Sequence, residues 1–278
     1  MARSSVPGTP SQQPWPCLIP GPCDAEGARR VPLLSADPAA FPTDPPADPD
    51  DLRCITGHDW AAFSVLREMT DHWSRPGWPD GARAYYWMLT FSDMPALTDL
   101  AVRCQEALAP LGLDPVPADG GLHITLARAA GRDAVTRDRL GALTRTAARL
   151  VPQAVTAFTL QAAPLAGSRG AVRFSVGPWT PLVRLNTALA EAGRTEGLPP
   201  SKPTAHFRPH LSIAYNDRRR DARPVVNAVA ALRELAAVAV EVTDVQLVEL
   251  RRDGCTYRWD VLESLPLTAP VRVGQVRQ

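Results

Sequence analysis

Two six-residue stretches, Gly121-Leu-His-Ile-Thr-Leu126 and Pro209-His-Leu-Ser-Ile-Ala214, carry side chains in the same order: histidine, apolar, hydroxyl, apolar. The histidines stand 87 positions apart, from His123 to His210. In a β-strand successive side chains point to opposite faces, so His123 and Thr125 share one face while Ile124 and Leu126 pack behind it. The same parity joins His210 with Ser212 over Leu211 and Ile213. Each stretch therefore builds half of a polar site on a strand anchored from its other side.

The segments before the two stretches repeat as well. Tyr85 to Phe91 reads as an aromatic strand, Pro95 opens a helix through Leu97, Leu100 and Leu108, and Asp114 to Gly121 is a loop leading into the first histidine strand. Ala171 to Val176 reads as a strand, Pro181 opens a helix through Leu182, Leu185 and Leu189, and a Gly/Pro loop leads into the second. Pro95 and Pro181 are 86 residues apart, which matches the histidine spacing and points to an internal duplication. Thr56 is expected to cap a helix running through Trp60, Phe63 and Met69. Residues 134–150 read as a helix and Ala154 to Leu160 as a strand. Val225 to Ala237 should be helical, and Val238 to Glu249 should pair with Tyr257 to Leu262 around Asp253-Gly254.

Residues 1–50 hold twelve prolines and few aliphatic side chains, so residues 1–55 are expected to be a disordered, Pro-rich arm. A folded domain should then span 56–263, with lobes at about 85–162 and 171–263 and a tail at 264–278. Net charge is +1, but residues 85–278 carry 23 basic against 18 acidic side chains, a mild excess suited to a phosphate-bearing ligand. Of the 30 basic residues only Lys202 is a lysine, a skew that resembles coding bias and says little about function. Five scattered cysteines without a CxxC pair indicate neither a disulfide framework nor a zinc site. No apolar run approaches the ~20 residues of a membrane span, and the N-terminus lacks the apolar core of a signal peptide, so a cytoplasmic monomer is expected.

Paired histidines with paired hydroxyls suit chemistry at a phosphodiester. Imidazole titrates near ~6.5, so one ring can donate a proton while the other accepts one, and hydroxyls can bond the non-bridging oxygens. The two stretches resemble the signatures of the two-histidine phosphoesterases, a superfamily that includes 2′-5′ RNA ligase-like proteins and cyclic nucleotide phosphodiesterases. The likeness spans about residues 60–263. It implies an α+β fold, bilobal and pseudo-two-fold, with two antiparallel sheets flanked by helices around a central groove. It further implies metal-independent hydrolysis of a 2′,3′-cyclic phosphate on an RNA end or small nucleotide, without a cofactor. His123 and His210 match its catalytic positions; Thr125 and Ser212 match its phosphate-binding ones. Ser212 departs from the more usual threonine but keeps the hydroxyl.

Other readings stay open from sequence: 2′-5′ ligation, trimming of RNA ends, a groove that binds RNA ends without turnover, or a partner-docking arm. A lone His-x-Thr means little, and the repeat is what gives the pair weight. Arg208 shares a face with His210 and, with Arg128, is a candidate phosphate contact, although exposed arginines are common. Tyr215 is a candidate to stack a base, as is the Trp73/Trp78 turn. His206 and His210 cannot chelate one ion from a helix, because Pro209 intervenes, nor from a strand, where four residues span ~13 Å. His206 is therefore a loop or groove-rim residue. His58 and His72 lie outside the motifs and read as surface or packing side chains.

Overall fold

The computed structural model describes residues 32–269. The chain opens with α1 (Leu52–Ser64), β1 (Glu68–Met69), β2 (Arg83–Thr90), α2 (Pro95–Leu108), β3 (Asp114–Pro115) and β4 (His123–Gly131). It continues through α3 (Arg137–Ala154), β5 (Phe158–Ser168), β6 (Ala171–Gly177), α4 (Trp179–Thr195) and β7 (Leu211–Tyr215). It closes with β8 (Arg220–Asp221), α5 (Arg223–Leu232), β9 (Val238–Val242), β10 (Asp244–Asp253) and β11 (Thr256–Pro266). Two antiparallel sheets result, in the orders β11-β10-β2-β4 and β3-β7-β6-β5-β9, with a small β1-β8 pair beside them. This is the expected α+β architecture.

The duplicated unit is visible as β2-α2-β4 and β6-α4-β7. In each copy the histidine-bearing stretch runs antiparallel to the strand that precedes the helix, with Met88 opposite Thr125 in one and Arg173 opposite Ser212 in the other. Parity holds along β4: Ile124 and Leu126 are buried, while His123 and Thr125 stay partly open. Gln105 on α2 donates its amide to the carbonyls of Val116 and Ile213, and Asn186 on α4 donates to that of Leu126. Each helix thus braces a motif strand from behind.

The two sheets do not follow the two halves of the sequence. β5, placed with the first half at 85–162, pairs with β6 and β9 in the five-stranded sheet. β10 and β11, placed with the second half, complete the four-stranded sheet against β2. The chain crosses between sheets at Thr243, where the continuous strand expected over 238–249 breaks into β9 and β10. Exchanging end strands gives each sheet a contribution from both halves, so neither half closes a sheet alone.

Several local expectations are corrected. The first helix starts at Leu52, because the Asp51 carboxylate accepts from the Arg53 amide and caps it; the Thr56 hydroxyl instead donates to the Arg53 carbonyl inside the helix. That helix stops at Ser64, and Met69 is buried in the β1-β8 pair. α5 ends at Leu232, five residues early. Ser264–Pro266 belongs to β11 rather than to a tail, and residues 270–278 of that tail lie outside the described residues.

The Pro-rich arm is the largest correction. Residues 1–31 of it lie outside the described residues, but the part from residue 32 onward packs on the domain, with Asp37 and Phe41 pressed inward. Prolines remove backbone donors while leaving every carbonyl, and arginines take those carbonyls up. Arg208 donates to Ser35 O at 2.7 Å and Thr43 O at 2.9 Å; Arg173 donates to Phe41 O at 3.1 Å. The Trp179 amide donates to Pro49 O at 2.8 Å.

Candidate active site

β4 is an edge strand of its sheet, β7 lies one strand in from the edge of the other, and the groove runs where the two meet. A cavity of about 380 Å³ there is lined by His123, Thr125, His210 and Ser212 together. That is the lower part of the range in which small-ligand sites fall, roughly 300–1,000 Å³. His210, Ser212 and Thr125 also line a second, adjoining cavity of about 730 Å³ that extends toward residues 38–41 and 200–203. The four motif side chains therefore stand at one place in the molecule, at the junction of two chambers.

Both histidines are held in the same way. His123 Nδ1 lies 2.9 Å from Gly121 O, and His210 Nδ1 lies 2.9 Å from Arg208 O, in each case the carbonyl two residues back. A carbonyl only accepts, so Nδ1 carries the proton in both neutral rings and Nε2 keeps its lone pair. Burial pushes the His123 imidazole below its ordinary value, opposed by the bond to Gly121. For His210, desolvation together with the Arg173 and Arg75 guanidiniums pushes the pKa down to about 4, opposed by the Arg208 carbonyl. The His210 side chain is open to the groove, and burial and the two cations act on it in the same direction. The His123 charge also disfavours protonation of His210, so the pair favours a single proton.

The candidate ligand contacts fare differently. Arg128 is exposed and lines both cavities. Arg208 is buried, and its guanidinium is taken up by the carbonyls of Ser35, Thr43, Ala205 and Phe207, so it clamps the N-terminal segment rather than offering charge to a phosphate. Tyr215 lines the smaller cavity but is only 5% exposed, with its ring stacked on His72 at 3.9 Å and edge-on to Trp73 and Tyr257. Its face is already covered, so it is part of the floor and not a stacking platform. Trp73 is likewise buried, whereas Trp78 lines the cavity beside Tyr86. His206 sits in a short helical turn on the rim of the larger chamber.

Among the lining residues that escape the sequence reading are His72, Arg75 and Tyr257. His72 Nε2 is 3.0 Å from Tyr257 Oη, and Arg75 Nη2 is 3.1 Å from His72 Nδ1. Arg252 on β10 fastens the loop that carries His72 and Arg75, donating to the carbonyls of Trp73 and Trp78. The aromatic and basic turn at 71–83 is the available signal, but nothing local marks Tyr257 as its partner. Among the described residues no three His, Cys, Asp or Glu side chains converge as a metal site, and no helix is long and apolar enough to cross a membrane.

A family model described as the 2′-5′ RNA ligase superfamily matches residues 98–254, more than half of the chain and including both histidine motifs. The chain belongs to this superfamily. Membership carries a phosphoesterase-type function. The fold is similar to that of solved structures: that of E. coli LigT in apo form is similar at a TM-score of 0.50, with 19% identity, covering 68% of this chain and 99% of that one. The structure of TT0787 of Thermus thermophilus is similar at 0.50, with 17% identity, covering 67% of this chain and 98% of that one. At these identities the likeness concerns the fold. Comparison with curated protein sequences gives no match.

Proposed function

We propose that the protein is a cyclic phosphodiesterase that hydrolyses a 2′,3′-cyclic phosphate on an RNA end or small nucleotide without a metal. The observation that supports this reading is the convergence of His123, Thr125, His210 and Ser212 on one cavity, with both imidazoles fixed through Nδ1 and both Nε2 atoms left for chemistry. Thr125 and Ser212 hold the non-bridging oxygens by hydrogen bonds. His210 Nε2 removes a proton from water as the water oxygen attacks phosphorus. His123, protonated on Nε2, gives that proton to O3′ as the P–O3′ bond breaks. The product is a 2′-phosphate with a free 3′ hydroxyl, and proton exchange with solvent resets the pair.

The sequence alone leaves the direction of proton transfer open, because the motifs are pseudo-symmetric. Burial lowers both rings, and the added charge of Arg173 and Arg75 beside His210 supports taking it as the neutral base and His123 as the acid. Trp78 and Tyr86 wall the smaller chamber, which suits the base of the nucleotide.

The test is a panel of 2′,3′-cyclic mononucleotides and cyclic-ended oligonucleotides, with the position of the product phosphate read by NMR, in the presence and absence of chelator. Conversion to the 2′-phosphate that is unaffected by chelator is expected. Activity lost in chelator, or His123→Ala and His210→Ala variants as active as wild type, would overturn the reading.

A further inference from the structure

His72, Arg75 and Tyr257 lie outside residues 98–254, the span matched by the family model. They form one line of hydrogen bonds that ends at the reaction cavity, and its polarity follows from chemistry. A guanidinium can only donate, so the 3.1 Å contact from Arg75 Nη2 makes His72 Nδ1 an acceptor. The neutral His72 ring then carries its proton on Nε2, which donates to Tyr257 Oη at 3.0 Å. Having accepted that bond, Tyr257 must aim its own O–H elsewhere. Its ring is fixed edge-on to His72 and Tyr215, and stands 6.4 Å from the His123 ring, on the wall of the cavity that holds all four motif side chains.

The protonation states agree with this geometry. Burial, with Arg75 and the other histidines nearby, pushes His72 down to about 2, so it stays neutral and acts as neither acid nor base. Burial likewise raises the Tyr257 phenol, so it keeps its proton.

We propose that the Tyr257 hydroxyl is a third hydrogen-bond donor to the reacting phosphate, beside Thr125 and Ser212, with its direction set by Arg75 through His72. Tyr257 is the catalytic residue; His72 and Arg75 are positioning residues. The inference rests on the phosphoesterase reading above. A fixed donor aimed at developing charge lowers the barrier without reorganisation during the reaction.

Steady-state kinetics on 2′,3′-cyclic AMP test it, with folding checked by circular dichroism and thermal melting. Tyr257→Phe keeps the ring and removes the donor, and should lower kcat roughly 10²-fold with KM within about threefold. His72→Gln retains an acceptor for Arg75 and a donor for Tyr257, and should stay within about threefold of wild type. His72→Leu should approach the loss of Tyr257→Phe, and the double variant should be no worse than Tyr257→Phe alone, since both act through one hydroxyl. A Tyr257→Phe enzyme with wild-type kcat, a Gln variant as impaired as the Leu variant, or losses that multiply in the double variant would each overturn the proposal. His210→Ala separates the two levels. If it is inactive while Tyr257→Phe is normal, the tyrosine proposal alone fails; if it is as active as wild type, the phosphoesterase reading fails as well.

Discussion

His123, which opens β4, and His210, which immediately precedes β7 of the other sheet, are held in one tautomer by the same kind of contact: each Nδ1 bonds the carbonyl two residues earlier at 2.9 Å. The duplication thus preserves an imidazole aimed by its own backbone as well as a side-chain pattern. Removing either ring should lower kcat by roughly 10²- to 10⁴-fold while leaving the fold intact, because the rings line a cavity and are not part of the packed core. The double variant should lose little more than the worse single one, since either loss already breaks the acid/base couple. Single-turnover rates with matched circular dichroism spectra measure both.

The pH–rate profile should be a bell. Its acid limb reports protonation of the base, which burial, with Arg173 and Arg75, pushes below the ordinary histidine value, so activity should persist well below pH 6. The alkaline limb reports loss of the proton from His123, which burial also lowers in the free protein. A bound phosphate anion favours the charged ring, so the alkaline limb of kcat should lie at higher pH than that of kcat/KM. Coincident alkaline limbs would argue against His123 as the acid.

How far the sequence leads depends on how local each signal is. His123 and Thr125, or His210 and Ser212, are two residues apart, so strand parity alone places each pair on one face, and the repeat ties the pairs together. His72 and Tyr257 are 185 positions apart, and no pattern near either one announces a bond that exists only once the β10–β11 hairpin folds over the 71–83 loop. Parity assigns Arg208 to the correct face, but its partners are backbone carbonyls of a Pro-rich segment, which have no sequence signature. The exchange of end strands between sheets escapes for a similar reason: β9 and β10 follow one another with only Thr243 between them, and only tertiary pairing decides where the run divides.

Arg208 should prove structural. It is buried, and its guanidinium serves four carbonyls, so Arg208→Ala leaves those acceptors unsatisfied and releases residues 35–43. A loss of about 3 kcal/mol in urea unfolding is expected, given about 1.5–3 kcal/mol for a bond to a charged group and partial compensation by water. Proteolysis should move to residues 32–45, while KM for a cyclic nucleotide stays within about twofold. Lysine should not rescue stability, because one ammonium cannot span the fork. A KM raised tenfold with unchanged stability would return Arg208 to the role of phosphate contact.

Trp78 should carry the nucleobase. It lines the smaller cavity against Tyr86 at 6.0 Å, where Tyr215 is already covered by His72. Stacking one base on an aromatic ring contributes about 1–3 kcal/mol, so Trp78→Ala should raise KM for 2′,3′-cyclic AMP by roughly 5- to 150-fold and alter kcat little. Ribose 2,3-cyclic phosphate, which lacks a base, should be processed equally by both proteins; a loss on that substrate too would place Trp78 in the fold of the loop instead.

The last prediction concerns stability and pH. His72 is 7% exposed and its folded-state pKa is about 2, far below the 6.5 of an unfolded histidine. Below pH 6.5 the unfolded chain therefore takes up a proton that the folded chain refuses, so this contribution leaves stability intact above pH 6.5 and erodes it as the pH falls. At pH 5 the cost is about 2 kcal/mol for this residue, at about 1.36 kcal/mol per pH unit. His123 and His210 act in the same direction, so wild type should lose more than this in total. His72→Gln removes only its own share: its stability relative to wild type should improve by about 2 kcal/mol between pH 7 and pH 5 in urea denaturation. If the two proteins keep a constant difference across that range, His72 is not buried as a neutral ring, and the fixed polarity of its bond to Tyr257 goes with it.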